Sequence, residues 1–173
     1  NERHYARLVN LLADAKSRGA RVVLVNPAGE TLDPTARKLA PALVLDVGDE
    51  MAIMRDEIFG PLLPVVAYDT LDDAIDYVNR HDRPLALYWF GDDAARRDRV
   101  LRGTIAGGVT VNGCLTHFAQ EAQPFGGVGA SGSGSYHGGY GFRTFSKEKP
   151  VYYQSRLGIF PLLLPPYGGL LDR

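Results

Sequence analysis

The chain has little that would tie it to a charged or oxidising environment. A single cysteine, Cys114, stands in 173 residues, which excludes an internal disulfide framework and makes a reducing compartment, the cytoplasm by default, the expected location. Net charge is almost absent, with nineteen basic against twenty acidic side chains. No electrostatic reason therefore exists to expect nucleic acid or an anionic membrane as partner. The densest basic stretch, Arg96, Arg97, Arg99 and Arg102, is interleaved with Asp92, Asp93 and Asp98, the pattern of a solvated helix face. No charged-then-apolar leader opens the sequence. The most apolar tract, 157–171, is broken by Pro161, Pro165 and Pro166, so it is not read as a membrane-spanning helix. Histidine is scarce as well: His4, His81, His117 and His137 share no spacing that brings two onto one helical turn as metal ligands, and no metal site is expected.

What is present is apolar and periodic. Hydrophobic residues make up 45% of the chain, enough for one compact core. Tyr5, Leu8, Leu11, Leu12 and Ala15 recur at three- and four-residue spacing and predict a helix stopped by Gly19. Residues 21–25 read as a strand, 27–34 as a loop, and 39–47 as a second extended segment whose Pro41 suits an edge or the start of a strand. A short helical turn at 51–55 leads into Glu57-Ile58-Phe59-Gly60-Pro61, a loop because Gly60 and Pro61 stop regular structure. An apolar strand follows at 62–68. Thr70 and Asp73 resemble a capping box for a helix burying Leu71, Ala74, Ile75 and Val78. The run 85–90 has the pattern of a strand covered on both faces; Asp92 or Asp93 caps the next helix, which ends by Gly103, and 108–112 is another strand. Alternating strands and helices predict an α/β fold, a parallel sheet with flanking helices. The chain opens at Asn1 directly in helical periodicity, which reads as a piece of something larger.

From 113 to 141 periodicity gives way to dense glycine, and a loop of that length is expected to carry function. Gly127-Val128-Gly129-Ala130-Ser131-Gly132 formally fits the dinucleotide fingerprint. That mechanism needs a strand before it and a helix after it, and neither is signalled, so a tight loop needing glycine for its backbone angles is the better reading. Ser131, Ser133 and Ser135 lack the strand-to-helix elbow of a serine nucleophile. Cys114 invites a nucleophile reading, with His117 three residues on, but nothing nearby would orient that histidine, and an inert buried cysteine is expected.

Two motifs, taken together and in this order, resemble aldehyde dehydrogenases: Glu57-Ile58-Phe59-Gly60-Pro61 before a strand, and Pro124-Phe125-Gly126-Gly127-Val128-Gly129-Ala130-Ser131-Gly132 as a late glycine-rich loop. Pro84-Leu85-Ala86-Leu87-Tyr88 and Gly107-Gly108-Val109-Thr110-Val111-Asn112 fall between them at that family's places. Ser135-Tyr136-His137-Gly138 resembles the class-three branch, which includes coniferyl aldehyde dehydrogenases. The resemblance implies that residues 1–148 form the carboxy-terminal part of a catalytic domain and that 149–173 form an oligomerisation strand and tail, with 151–154 extended at an intermolecular contact.

It also implies an activity and a division of labour. In the resembled family a thiolate attacks the aldehyde carbonyl, hydride passes to NAD or NADP, and a glutamate-activated water releases the acid. The cysteine and glutamate of that chemistry lie upstream of anything present here. Cys114 does not match the nucleophile's motif, so no catalytic residue is expected in this chain, and the chain alone is expected to be inactive. By resemblance Glu57 accepts hydrogen bonds from the nicotinamide ribose and Phe59 packs beside the nicotinamide ring, while Asn112, His117 and Phe125 line the aldehyde site. A homodimer is implied for the intact protein. Two other readings remain open from the residues: a non-catalytic binding or assembly module, and a relative that reduces an acyl phosphate or thioester.

Overall fold

The computed structural model describes residues 1–159, 164 and 165. The chain divides into two compact units, Asn1–Ala74 and Ile75–Arg173.

The first unit opens with α1 (Glu2–Ser17), capped by Asn1, whose side-chain oxygen accepts the His4 amide at 3.0 Å. Its spacing of Leu8, Leu11 and Ala15 lays one stripe into the core. Gly19, at φ +95°, turns the chain into β1 (Arg21–Leu24). A loop containing a 3₁₀ turn at Pro34–Ala36 returns to β2 (Ala42–Leu45), α2 (Ala52–Arg55) follows, and β3 (Leu62–Pro64) completes the sheet. The order is β1-β2-β3. β2 and β3 run parallel, with Ala42 opposite Leu62, as the intervening helix requires.

β1 runs antiparallel to β2, Val22 facing Val44, which corrects the all-parallel expectation. The connection from β1 carries no crossover α-helix, so the chain comes back beside itself in the opposite direction. β3 is also shorter than the expected 62–68. Pro64 has no N–H to donate, and only one further bond, Val65 N–H to Val44 O at 2.9 Å, continues the ladder.

Leu8, Leu11, Ala15, Ala20, Ala42, Val44, Met51, Ile53 and Leu62 form one buried cluster, drawn from α1, both parallel strands and the α2 turn. Asp14 ties two of these elements together. Its carboxylate accepts the Ala52 amide at 2.8 Å and pairs with Arg18 at 2.8 Å. It thereby caps α2 from the side of α1.

The second unit holds most of α3 (Leu71–Arg80), then β4 (Ala86–Trp89), α4 (Ala94–Gly103), β5 (Gly108–Val111) and α5 (Gly138–Thr144). The capping box before α3 forms as expected: Asp73 accepts the Thr70 amide at 2.9 Å while Thr70 Oγ1 accepts the Asp73 amide at 3.2 Å. Leu71, Ala74, Ile75 and Val78 are half-buried rather than fully buried. Asp93, not Asp92, caps α4, accepting the Arg96 amide at 3.0 Å. β4 and β5 pair in parallel across the α4 crossover.

The expectation that 85–90 is covered on both faces is corrected. Leu85, Tyr88 and Phe90 keep 41%, 37% and 62% of their surface, because this sheet has two strands and so offers little cover. α5 also falls in the stretch expected to be a loop. Val151, Tyr152 and Tyr153 are exposed and lie in no helix or strand, whereas the end of the 149–173 tail lies outside the described residues. No helix of the described residues is long and apolar enough to cross a membrane.

Two outcomes follow from the first unit's packing. Ile53 keeps only 2% of its surface, so Ile53→Ala should destabilise by about 2–4 kcal/mol and Ile53→Val by about 1 kcal/mol, read from urea unfolding midpoints; equal, small losses would show that the site collapses freely. The Arg18 guanidinium, followed by the Ala52 amide, holds the Asp14 carboxyl below its ordinary value. A depressed folded-state value means a stabilisation that is present above the ordinary Asp value of about 3.9 and is lost as pH falls through the folded value. The stability gap between the parent and Asp14→Asn should therefore shrink below about pH 4; a gap that stays constant down to acid unfolding contradicts this.

Candidate functional site

In the first unit the loop 56–61 is held in a conformation that its own sequence would not choose. Phe59 has φ +43°, the left-handed region, which costs a bulky side chain about 1–3 kcal/mol and persists only where its surroundings impose it. Two contacts impose it. A Cβ at Gly60 would lie 2.5 Å from a methyl carbon of Leu8, so any larger residue there would have to displace a side chain buried in the core. Arg7, one position earlier on that helix, donates from Nη1 to the Glu57 carbonyl at 2.8 Å and from Nη2 to the Ile58 carbonyl.

The outcome is an outward display. Glu57 is exposed, and its carboxylate has no hydrogen-bond or ion-pair partner among the described residues. Phe59 keeps 75% of its surface. An ionised carboxylate offers two acceptor oxygens, and an exposed ring offers an apolar face. The loop therefore presents one polar and one apolar contact to whatever meets it. An open groove also lies in this unit, lined by His4, Tyr5, Val25, Leu32, Arg37 and Leu39 among others. None of the five predicted site residues lines it.

In the second unit the glycine-rich stretch is a closely packed layer of backbone. A Cβ at Gly126 would lie 2.0 Å from the Gly134 carbonyl oxygen, one at Gly107 would lie 2.3 Å from that of Gly126, and one at Gly127 would lie 2.2 Å from that of Ser131. Each is closer than any side chain tolerates, so these glycines serve close approach. Ser131 Oγ accepts the Val128 amide at 2.9 Å and donates to the Val128 carbonyl at 3.1 Å. The three-residue 3₁₀ turn Gly129–Ser131 is a tight loop, as expected, and not the start of a helix.

Phe125 is the hub of the side chains above this layer. Its backbone exchanges both hydrogen bonds with Tyr136, at 3.0 and 2.9 Å. Its ring centroid lies 5.5 Å from Tyr136, 5.9 Å from His137, 6.0 Å from His117 and 6.1 Å from Phe118. His137 stacks at 22° to the Phe125 ring, His117 is tilted, and Tyr136 and Phe118 meet it edge-on, arrangements that aromatic pairs favour. His117 is fixed from below by Thr110, a buried side chain on β5: Thr110 Oγ1 accepts the His117 amide at 3.3 Å and lies 2.8 Å from Nδ1. Nε2 is buried and unpartnered among the described residues, as is Nδ1 of His137.

Asn112 sits at the end of β5 with φ +52°, a conformation asparagine tolerates. Its amide accepts from the Gly91 N–H at 2.8 Å and donates to the Gly91 carbonyl at 3.3 Å, clasping the ends of β4 and β5 together. His117 and Phe125 are thus brought into contact, while Asn112 is engaged with backbone.

The expectation of a buried cysteine is overturned: Cys114 is exposed. It stands in the turn that follows β5, beside Leu115 at φ +64° and 60% exposed, where the chain reverses over the surface. His117 Nδ1 is engaged by Thr110. Tyr136, His137 and Thr110 were part of sequence motifs but were not expected to line the site, and Arg7 carried no signal, since its partners lie 50 and 51 residues away. Among the described residues no three His, Cys, Asp or Glu side chains gather in a group able to hold a metal.

The family model described as the aldehyde dehydrogenase family matches residues 1–151. A probable coniferyl aldehyde dehydrogenase of Caulobacter vibrioides is 55% identical over 170 residues, covering 96% of this chain and 35% of that protein. A coniferyl aldehyde dehydrogenase of a Pseudomonas species is 52% identical, covering 97% and 35%. Among solved structures, the substrate-bound state of Staphylococcus aureus AldH superposes with a TM-score of 0.77 at 40% identity, over 99% of this chain and 36% of that one. The indole-3-acetaldehyde dehydrogenase of P. syringae, in complex with NAD+, gives 0.71 at 27% identity, over 84% and 29%. The chain spans about a third of the length of the curated relatives it matches, and with the family model covering most of its residues, it belongs to the aldehyde dehydrogenase family.

Proposed function

We propose that these residues form the carboxy-terminal part of the catalytic domain of an NAD- or NADP-dependent aldehyde dehydrogenase, which oxidises an aromatic aldehyde of the coniferyl type to its acid. The observation that carries the reading is the loop 56–61, where an unpartnered carboxylate and an exposed ring are carried two residues apart on a strained backbone. Names of relatives supply the substrate class.

The residues fit a nicotinamide cofactor. Glu57 has both carboxylate oxygens available to accept from a ribose diol, and Phe59 offers a face to a flat heteroaromatic ring. When bound, the cofactor supplies the hydride acceptor; Glu57 and Phe59 supply orientation, which converts binding energy into a fixed geometry for transfer. On the substrate side, Phe125 and His117 form a largely aromatic wall suited to a planar arene, and Asn112 keeps that wall in place by joining the ends of the strands beneath it. The chain's own residues include no nucleophile: Cys114 is not assigned that role, and the 173 residues alone do not turn over aldehyde. In the intact protein, a cytoplasmic homodimer, residues 149–173 take part in subunit contact through the exposed segment at 151–154.

Steady-state assay of the intact protein with coniferyl aldehyde and either cofactor tests the reading. Glu57→Gln should raise the KM for the cofactor by about ten- to a hundred-fold, the loss of a charge-assisted hydrogen bond. Unchanged cofactor kinetics in that variant, or aldehyde-dependent cofactor reduction by the 173 residues alone, would overturn it. Cys114→Ser should leave kcat/KM within about two-fold of the parent; an abolished kcat would make this thiol the nucleophile after all.

A further inference from the structure

We infer that Arg7 is a positioning residue for the nicotinamide cofactor, acting through the backbone of the loop that carries Glu57 and Phe59. The inference rests on the reading of that loop given above and adds to it a residue from another element, at the far end of the first unit's sequence.

Arg7 is half-buried on α1, next to core residue Leu8. Its guanidinium has no carboxylate partner among the described residues and instead donates to two successive carbonyls, those of Glu57 and Ile58. In an extended strand successive carbonyls point in opposite directions. Both can meet one planar fork only where the chain turns, and the turn is completed at Phe59, φ +43°. The guanidinium is suited to the task because its donors are fixed relative to one another; an ammonium is a single point on a flexible stem. Full charge placed against two carbonyl dipoles also gives charge-assisted bonds, stronger than the water contacts that would replace them on an exposed loop.

The consequence concerns Glu57 and Phe59 rather than Arg7 itself. With the carbonyls of 57 and 58 fixed, the Glu57 carboxylate and the Phe59 ring leave the backbone in set directions before any cofactor arrives. Without the clamp, Gly60 on Leu8 still anchors one end of the loop, but the residues that display the two contacts regain their freedom. The cofactor then has to order them on binding, which weakens affinity without altering the chemistry that follows.

The test compares Arg7→Met, Arg7→Lys and Glu57→Gln in the intact protein. Arg7→Met should raise both the Kd and the KM of the cofactor by about ten-fold, with kcat and the aldehyde KM within about three-fold of the parent. Arg7→Lys should recover part of that loss. In the cofactor-free protein, hydrogen exchange of a peptide spanning 56–60 should accelerate in Arg7→Met while peptides from β2 keep their rates. If Glu57→Gln weakens the cofactor but Arg7→Met does not, and exchange of 56–60 is unchanged, the inference fails and the reading of the loop survives. If Glu57→Gln is without effect, the reading fails and takes the inference with it. A uniform loss in which stability falls and both KM values rise together assigns Arg7 to ordinary packing and also overturns the inference.

Discussion

The seating of α1 on the buried side of the first sheet is the constraint from which the rest of that unit follows. Leu8, Leu11 and Ala15 lie in one cluster with Ala42, Val44, Ile53 and Leu62, and Ala15 has no exposed surface at all. Apolar burial of this kind is non-directional, yet here it fixes direction at its edge. The same Leu8 that enters the core is the surface on which Gly60 rests; Arg7 reaches the carbonyls just before it; and Asp14, two turns on, caps the α2 turn that precedes the loop. One helix thus sets both ends of the segment that displays Glu57 and Phe59.

The second unit achieves rigidity by another route. Only Val100 and Thr110 are buried there among the described residues, so little of its order comes from a hydrophobic core. Backbone packed against backbone at Gly107, Gly126 and Gly127 brings β5 and the late loop closer than side chains allow. On that layer Phe125 gathers a ring of aromatic and imidazole side chains. The large exposed surfaces of Tyr88, Phe90 and Val111 show how much apolar area the two-stranded sheet leaves uncovered, an area well suited to burial against further protein.

Local signals were legible in the sequence and non-local ones were not. The helical spacing of α1, the stop at Gly19, the reciprocal cap of Thr70 and Asp73 and the cap at Asp93 each depend on residues within a turn of one another, and each formed. The direction of β1 depends on how a seventeen-residue connection (25–41) folds back, which spacing does not encode. Exposure of Cys114 follows from where the turn after β5 lies, not from its apolar neighbour Leu115. α5 was hidden by its composition, since Gly138, Gly139 and Gly141 weaken any helical signal. The loop with Glu57 and Phe59 was legible as a motif, whereas its clamp by Arg7 joins residues fifty positions apart. Periodicity cannot reach that far.

Glu57 and Phe59 are the proposed contacts of this chain with the nicotinamide half of the cofactor. A crystal structure of the intact protein with NAD bound tests that most directly. Both Glu57 carboxylate oxygens should then lie about 2.7 Å from the hydroxyls of the nicotinamide ribose, with the Phe59 ring against the nicotinamide and its backbone still left-handed. A cofactor whose ribose is held by other residues, with Glu57 in solvent, would contradict it.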